Sequence, residues 1–339
     1  MKLKNTKKNK LLDEINHLTS YHYSKCKEYK NILDHRGYKL NTKYKLQDLP
    51  FIPARIFKYL ELKSIKNKNV IKILTSSGTS GENPSKIFLD KNNALNQRVA
   101  LNKIFKNYVS NERLPMIVVG KRPKISRDKF DAKTAAILGF SNFSNSISYT
   151  TNEDNKIDYN LIESFLKNSD KKKYLIFGFT SEVYSFFNLI LKSKYKFNFK
   201  NGVLLHGGGW KKLESLKISN SKFNNFFKKK LGINNIINYY GLIEQVGSIF
   251  FECQKCNNFV CSDYSDILIR DKKLNIKKTG RGFIQLISSL PTSYPGHNIL
   301  TEDIGEIIKP RNKLCRHIGK TFKVYGRSKK SEIRGCSNV

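Results

Sequence analysis

Three stretches of this 339-residue chain combine residue types that could do chemistry. The first, TSSGTSGENPSK (75–86), packs two glycines, a run of hydroxyl side chains and Lys86 between two apolar segments. Backbone N–H groups in such a turn can converge on phosphate oxygens, and a lysine adds charge. The spacing is not that of a P-loop, because Lys86 follows Gly81 by five residues and no helix pattern begins there. From the residues alone, the loop is either a turn or a phosphate cradle. The second stretch, CQKCNNFVC (253–261), has metal-ligand spacing, and KLCRHIG (313–319) supplies further donors. Cys253, Cys256, Cys315 and His317 could form a Cys3His structural zinc site, with Cys261 a spare ligand. The third, LLHGGGWKKL (204–213), runs an apolar strand into Gly207, Gly208 and Gly209 behind His206. That histidine either faces a substrate or is satisfied in the core.

These groups need elements to position them. Apolar, β-branched runs predict strands at 69–75, 85–89, 114–119, 174–178, 202–206 and 283–288. Helices are expected at 91–108, N-capped by Asp90, and at 181–193, N-capped by Thr180. Leu11, Leu12, Ile15, Leu18 and Tyr21 repeat at helical spacing within 7–31. DLPFIPARIFKYLELKS (48–64) is apolar but twice broken by proline, so a buried extended segment is expected. Strands alternating with helices argue for an α/β fold with a mostly parallel sheet.

Composition sets the class. Hydrophobic residues make up 39% and aromatics 12% of the chain, which suits a globular protein. No apolar run approaches the roughly 20 residues of a membrane span. The basic amino terminus lacks the apolar and small-residue regions of a secretory signal, so a cytoplasmic protein is expected. With six cysteines and no such signal, a disulfide framework is not expected. The formal charge of +36 is spread along the chain with abundant Asn and Ile, a pattern that AT-rich codons also produce. No arginine-rich cluster, zinc-finger spacing or RNA-binding aromatic motif points to nucleic acid.

TSSGTSGENPSK resembles the serine/threonine- and glycine-rich signature of adenylate-forming enzymes, the acyl-CoA synthetases, luciferases and their relatives. The resemblance continues in order through LLHGGGWKKL, NYYGLIEQVG (238–247), ILTEDIGEI (299–307) and VYGRSKKSEIRGC (324–336). With LPFIPARIFKYLELKS and SLPTSYPGHNILTEDIGEI, it narrows to the bacterial acyl-protein synthetases, or long-chain-fatty-acid–luciferin-component ligases. It implies a layered α/β large domain with a small β-rich part. It also implies that Ser76, Ser77, Gly78, Thr79, Ser80, Gly81 and Lys86 cradle the β- and γ-phosphates of ATP. Gly207, Gly208, Gly209 and Gly241 would approach adenine, with Tyr240 stacked on it. Glu244 would hold Mg2+, Asp303 would accept from the ribose hydroxyls, and Arg327 would contact the nucleotide.

The family's larger members carry a mobile carboxyl-terminal lid with a catalytic lysine. This chain stops at Val339, so the resemblance implies a domain lacking that lid. The expected organisation is a helical segment at 1–47, an adenylate-forming core at 48–325, and a truncated hinge with a terminal arm at 326–339. Cys336 then matches the subfamily's terminal cysteine, which takes the acyl group as a thioester. Arg334, Lys329 and Lys330 beside it favour thiolate. The implied enzyme activates a carboxylic acid, expected to be fatty, as its acyl-adenylate. It then passes the acyl group through Cys336 to a partner such as a reductase or an acyl carrier protein. An acyl-CoA ligase is the nearest alternative, and a silent nucleotide- or acidic-protein-binding relative the second.

Overall fold

Between residues 114 and 240, strands alternate with helices, and most of the strands arise from short β-branched and aromatic runs. The computed structural model describes residues 2–76, 83–123, 132–210, 217–309, 315, 317 and 319–328. It divides the chain into two units, one of residues 102–125 and 133–240, the other of 1–101, 126–132 and 241–339.

The unit spanning 102–240 is a parallel α/β layer. Its strands are β4 (Leu114–Val118), β5 (Ser144–Tyr149), β6 (Tyr174–Phe179), β7 (Gly202–Gly207) and β8 (Asn235–Tyr240), in the order β5-β4-β6-β7-β8. Every one of these pairings is parallel. Its helices are α4 (Ala132–Ser141), α5 (Tyr159–Asn168), α6 (Thr180–Lys192) and α7 (Asn220–Leu231). Side-chain alternation sends Ile176, Leu204 and Ile236 into one core with Val183, Phe187 and Phe227. Phe177 and Tyr239 point the other way, onto Phe140 of α4 at 4.9 and 5.1 Å between ring centroids. Burying each such aromatic contributes roughly 2–3 kcal/mol, so these faces hold the layer together.

The other unit is built on an antiparallel sheet. Its strands are β10 (Phe259–Val260), β11 (Ser265–Arg270), β12 (Gly282–Ser288), β13 (Asn298–Ile307) and β14 (Thr321–Arg327), in the order β10-β14-β13-β12-β11. β1 (Ile52–Pro53) lies parallel to β13, and β2 (Lys72–Thr75) forms a separate hairpin with β3 (Lys86–Leu89). The amino-terminal helices, α1 (Lys2–Lys25) and α2 (Lys27–His35), belong here. Leu11 and Ile15 of α1 pack with Leu49 and Ile287. A buried polar cluster also fixes α1: Thr19 Oγ1 meets His297 Nε2 at 2.9 Å, and His22 Nε2 donates to Pro291 O at 3.1 Å. His22 Nδ1 lies 2.7 Å from Ser64 Oγ, and the two imidazoles stack at 5.0 Å.

Apolar runs anticipated most of the strands they cover. Three departures have local causes. Residues Asn67–Asn69 form a 3-10 turn, so the strand expected from 69 begins at Lys72. The proline-broken segment makes only β1 before turning into a 3-10 helix at Ala54–Lys58. Asp90 caps α3 (Lys91–Tyr108) by accepting from Asn93 N at 2.7 Å, as expected. Thr180 is instead the first residue of α6 after an N-cap at Phe179, because its hydroxyl is used elsewhere.

Candidate functional site

The hairpin β2–β3 presents the loop. Thr75 pairs with Lys86 as its last register, and beyond them Ser76 and Ser85 close a neck. Ser76 N donates to Ser85 O at 3.1 Å, and Ser85 N donates to Ser76 Oγ at 2.8 Å. Ser77, Gly78, Thr79, Ser80 and Gly81 lie outside the described residues, as does Cys336. Ser85, Ile87, Phe88 and Leu89 are all buried, and Lys86 alone in β3 is exposed. Lys86 Nζ pairs with Glu61 Oε1 at 3.1 Å, with both side chains about half exposed.

Ser85 is completely buried, and its hydroxyl donates to Glu244 Oε1 at 2.7 Å. Glu244 stands on a 3-10 turn, Ile243–Gln245, that is held from both sides. Gln245 Nε2 donates to Gly296 O at 2.9 Å, and Val246 N donates to Tyr294 Oη at 3.1 Å. Only glycine fits at 296, where a Cβ would come within 2.6 Å of Glu244 O. Burial pushes the Glu244 carboxyl up, while the Ser85 bond and the charges of Arg327 and Lys58 pull it down. Burial wins, so the carboxylate lacks full compensation by protein groups. A hard divalent cation with phosphate oxygens is the natural complement of such a group.

Asp303, on β13, is nearly buried and stands in register with Arg327 of β14. Arg327 Nε approaches Asp303 Oδ1 at 3.8 Å, an ion pair longer than a hydrogen bond. Gly326 beside it has φ +120°, a conformation that lets β14 shift register against β13. The same sheet therefore carries one acceptor and one cation pointing together.

In the parallel layer, β7 ends in the glycine turn. A Cβ at Gly207 would lie 2.6 Å from the Tyr239 ring, so the glycine allows β7 and β8 to close. Gly208 and Gly209 follow in the left-handed region, at φ +75° and +64°. Thr180 Oγ1 donates to Gly207 O at 3.0 Å and lies 3.0 Å from His206 Nδ1. With its one proton so used, the hydroxyl accepts from Nδ1–H. His206 also lies 4.5 Å from the Phe223 ring, and burial lowers its pKa to about 3. It is a satisfied, neutral core histidine. Tyr240, last in β8, is half-buried, on the opposite side of the strand from buried Tyr239. Gly241 belongs to the other unit, where a Cβ would meet Ile249 at 2.7 Å.

The four metal-ligand candidates do meet. Cys253 and Cys256 occupy the turn between β9 (Phe250–Phe251) and β10, and Cys315 and His317 precede β14. Cys253 Sγ lies 3.8 Å from Cys315 Sγ, Cys256 Sγ lies 3.9 Å from His317 Nε2, and all four donor atoms fall within 4.8 Å of one another. Cys261 is not in this group. Its thiol is buried and raised, and its backbone N donates to Lys320 O at 2.9 Å.

Ser85 carries no motif signal of its own, because three successive buried residues follow Lys86 and no alternation marks it as inward-facing. Glu61, the partner of Lys86, has no motif signal. Among the described residues, no helix is long and apolar enough to cross a membrane.

The family model for acyl-protein synthetase, LuxE, matches residues 2–339. A long-chain-fatty-acid–luciferin-component ligase of Aliivibrio fischeri is 23% identical, over 94% of this chain and 84% of that protein. A 2-hydroxyisobutyryl-CoA ligase, solved in the postadenylation state with an acyl-AMP, aligns with a TM-score of 0.70 at 12% identity. That alignment covers 94% of this chain and 67% of the ligase. An amide bond synthetase from Marinactinospora thermotolerans aligns at 0.51 and 10% identity, over 88% of this chain and 58% of its own. The fold is that of the adenylate-forming ligases.

Proposed function

The chain belongs to the acyl-protein synthetase family LuxE and is an AMP-forming acid ligase, and from that premise we propose how its residues divide the work. A carboxylate oxygen of the acid, expected to be fatty, attacks the α-phosphorus of ATP, and the bond to pyrophosphate breaks. The Cys336 thiolate then attacks the acyl carbonyl carbon, and AMP departs with the bonding electrons. A nucleophile on an acyl-accepting protein, a reductase or an acyl carrier protein, takes the acyl group from the thioester. The terminal segment after β14 serves as the carrier of Cys336.

The observation that carries this reading is the buried Glu244 carboxylate, bonded to Ser85 at the neck of the phosphate loop. Glu244 is the residue that would hold Mg2+, whose charge offsets that developing on the phosphates. Ser76, Ser77, Gly78, Thr79, Ser80 and Gly81 supply N–H and O–H donors to the β- and γ-phosphates. Lys86 leaves Glu61 and contributes its charge there. The Lys86–Glu61 pair is exposed, so exchanging one anion for another costs little. Gly207–Gly209 and Tyr240 accommodate adenine, Asp303 accepts from the ribose, and Arg327 binds the nucleotide. Little covalent help is needed, because alignment and charge neutralisation supply most of the rate.

The test is ATP–pyrophosphate exchange with Mg2+ across acids from acetate to long-chain and aromatic. Exchange stimulated by one class supports adenylation and names the substrate. No exchange with any acid, on folded protein, would overturn it. A Cys336→Ser variant should keep exchange and lose covalent acylation. Acylation of added coenzyme A that persists in that variant would replace the thioester arm with an acyl-CoA ligase.

A further inference from the structure

We propose that Cys253, Cys256, Cys315 and His317 bind one structural Zn2+, and that this ion clamps the turn after β9 to the segment that enters β14. Two of the six donor separations match the edges of a tetrahedral site, and all six lie within 4.8 Å. With Zn–S about 2.3 Å and Zn–N about 2.05 Å, the edges of the tetrahedron are about 3.8 Å between sulfurs and about 3.6 Å between sulfur and nitrogen. The Cys253–Cys315 separation is 3.8 Å and the Cys256–His317 separation 3.9 Å. A disulfide would need sulfurs about 2.05 Å apart, so the thiols are placed for an ion and not for each other.

The turn is held by its own backbone, with Asn257 N donating to Cys253 O at 2.7 Å. Asn257 takes φ +53°, which folds the loop so that Cys253 N reaches Asn258 O at 2.9 Å. Three soft sulfurs and one imidazole select zinc over magnesium or calcium, which require oxygen. Four protein ligands leave no open position, so the site is structural and separate from the acyl-transfer chemistry.

The role follows from what else holds these segments. Among the described residues, β10 pairs with β14 at Phe259–Phe322 and Val260–Thr321, and Cys261 N donates to Lys320 O just beyond. Phe322 is fully buried against Phe250 and Phe259, at 5.2 and 5.6 Å. An ion at the far end of this short ladder fixes the register in which β14 starts. Six residues later β14 delivers Arg327 opposite Asp303.

The experiment is metal analysis of the full chain, purified reduced and without chelator. About one zinc per chain is expected from a closed four-ligand site. It should be lost in Cys256→Ser and in His317→Ala and kept in Cys26→Ala, whose thiol is buried elsewhere. In case the ligand variants do not fold, Co2+ exchange into the wild type gives a second reading. Thiolate-to-cobalt charge transfer and strong tetrahedral d–d bands are expected, together with a fall in melting temperature on chelation. Wild-type protein without bound zinc that gives no such cobalt spectrum would overturn the proposal. So would zinc that survives in both ligand variants, or a Cys253–Cys315 disulfide in their place.

Discussion

At the scale of residues, the contact that matters most spans 159 positions, from Ser85 to Glu244. As partner to the carboxylate proposed to hold Mg2+, Ser85 would be a positioning residue. Ser85→Ala should raise the Mg2+ concentration needed for pyrophosphate exchange by roughly 10–100-fold while the protein stays folded, and Ser85→Thr should restore part of it. An unchanged Mg2+ dependence would remove Ser85 from the site. Glu244 makes a second case. Its folded carboxyl titrates above the value of 4.5 for the free side chain, so the neutral form is favoured in the folded state. Ionising it therefore costs stability as pH rises above 4.5 and through the raised folded value. Glu244→Gln should melt higher than wild type at pH 8, lose that advantage at pH 4, and show no Mg2+-dependent exchange. A lower melting temperature at pH 8 would refute the electrostatic argument. The resemblance to adenylate-forming enzymes pointed to Glu244, Asp303 and Arg327 as positions. It could not point to Ser85, because a signature conveys local order and not which side chain meets it from across the fold.

At the scale of elements, Gly207 at the end of β7 and Gly209 after it have different tasks, which substitution separates. Gly207→Ala drives a methyl into Tyr239 and its carbonyl, at 2.6–2.7 Å, and should cost about 1–3 kcal/mol or prevent folding. Gly209→Ala meets nothing within 4 Å and is penalised only for φ +64°, by about 1–2 kcal/mol. Urea unfolding of the two variants gives the comparison, and a Gly209→Ala protein less stable than Gly207→Ala would contradict the steric account. Elements with continuous apolar runs, such as β4, β6 and β7, were legible in sequence to within a residue or two at their ends. β5 was not, because SNSISY alternates serine with few apolar residues. β13 was read only as a motif, since TEDIGE puts charges in a strand whose buried neighbours come from elsewhere. Thr180 looked like a cap, and its hydroxyl instead ties α6 to β7.

At the scale of the whole molecule, three buried histidines make stability depend on pH. Burial lowers His22 and His206 to about 3 and His297 well below its ordinary value, so all three stay neutral when folded. The unfolded chain protonates them near pH 6.5, so stability is present above that value and falls as pH drops toward 3. The slope approaches 1.4 kcal/mol per pH unit for each histidine, or about 4 kcal/mol per unit together. Urea midpoints should fall steeply between pH 7 and pH 5, and a flat profile would mean the histidines are not buried. Two of them, His22 and His297, also dock α1, and this sets a timing problem during synthesis. Thr19 waits for His297 across 278 residues, roughly 15–55 s at ribosomal rates of about 5–20 residues per second. Throughout that interval α1 has left the ribosome with its apolar side, Leu11 and Ile15, uncovered. The nascent chain is therefore a predictable client for chaperones that bind early, and translation pauses before residue 297 would lengthen its dependence on them.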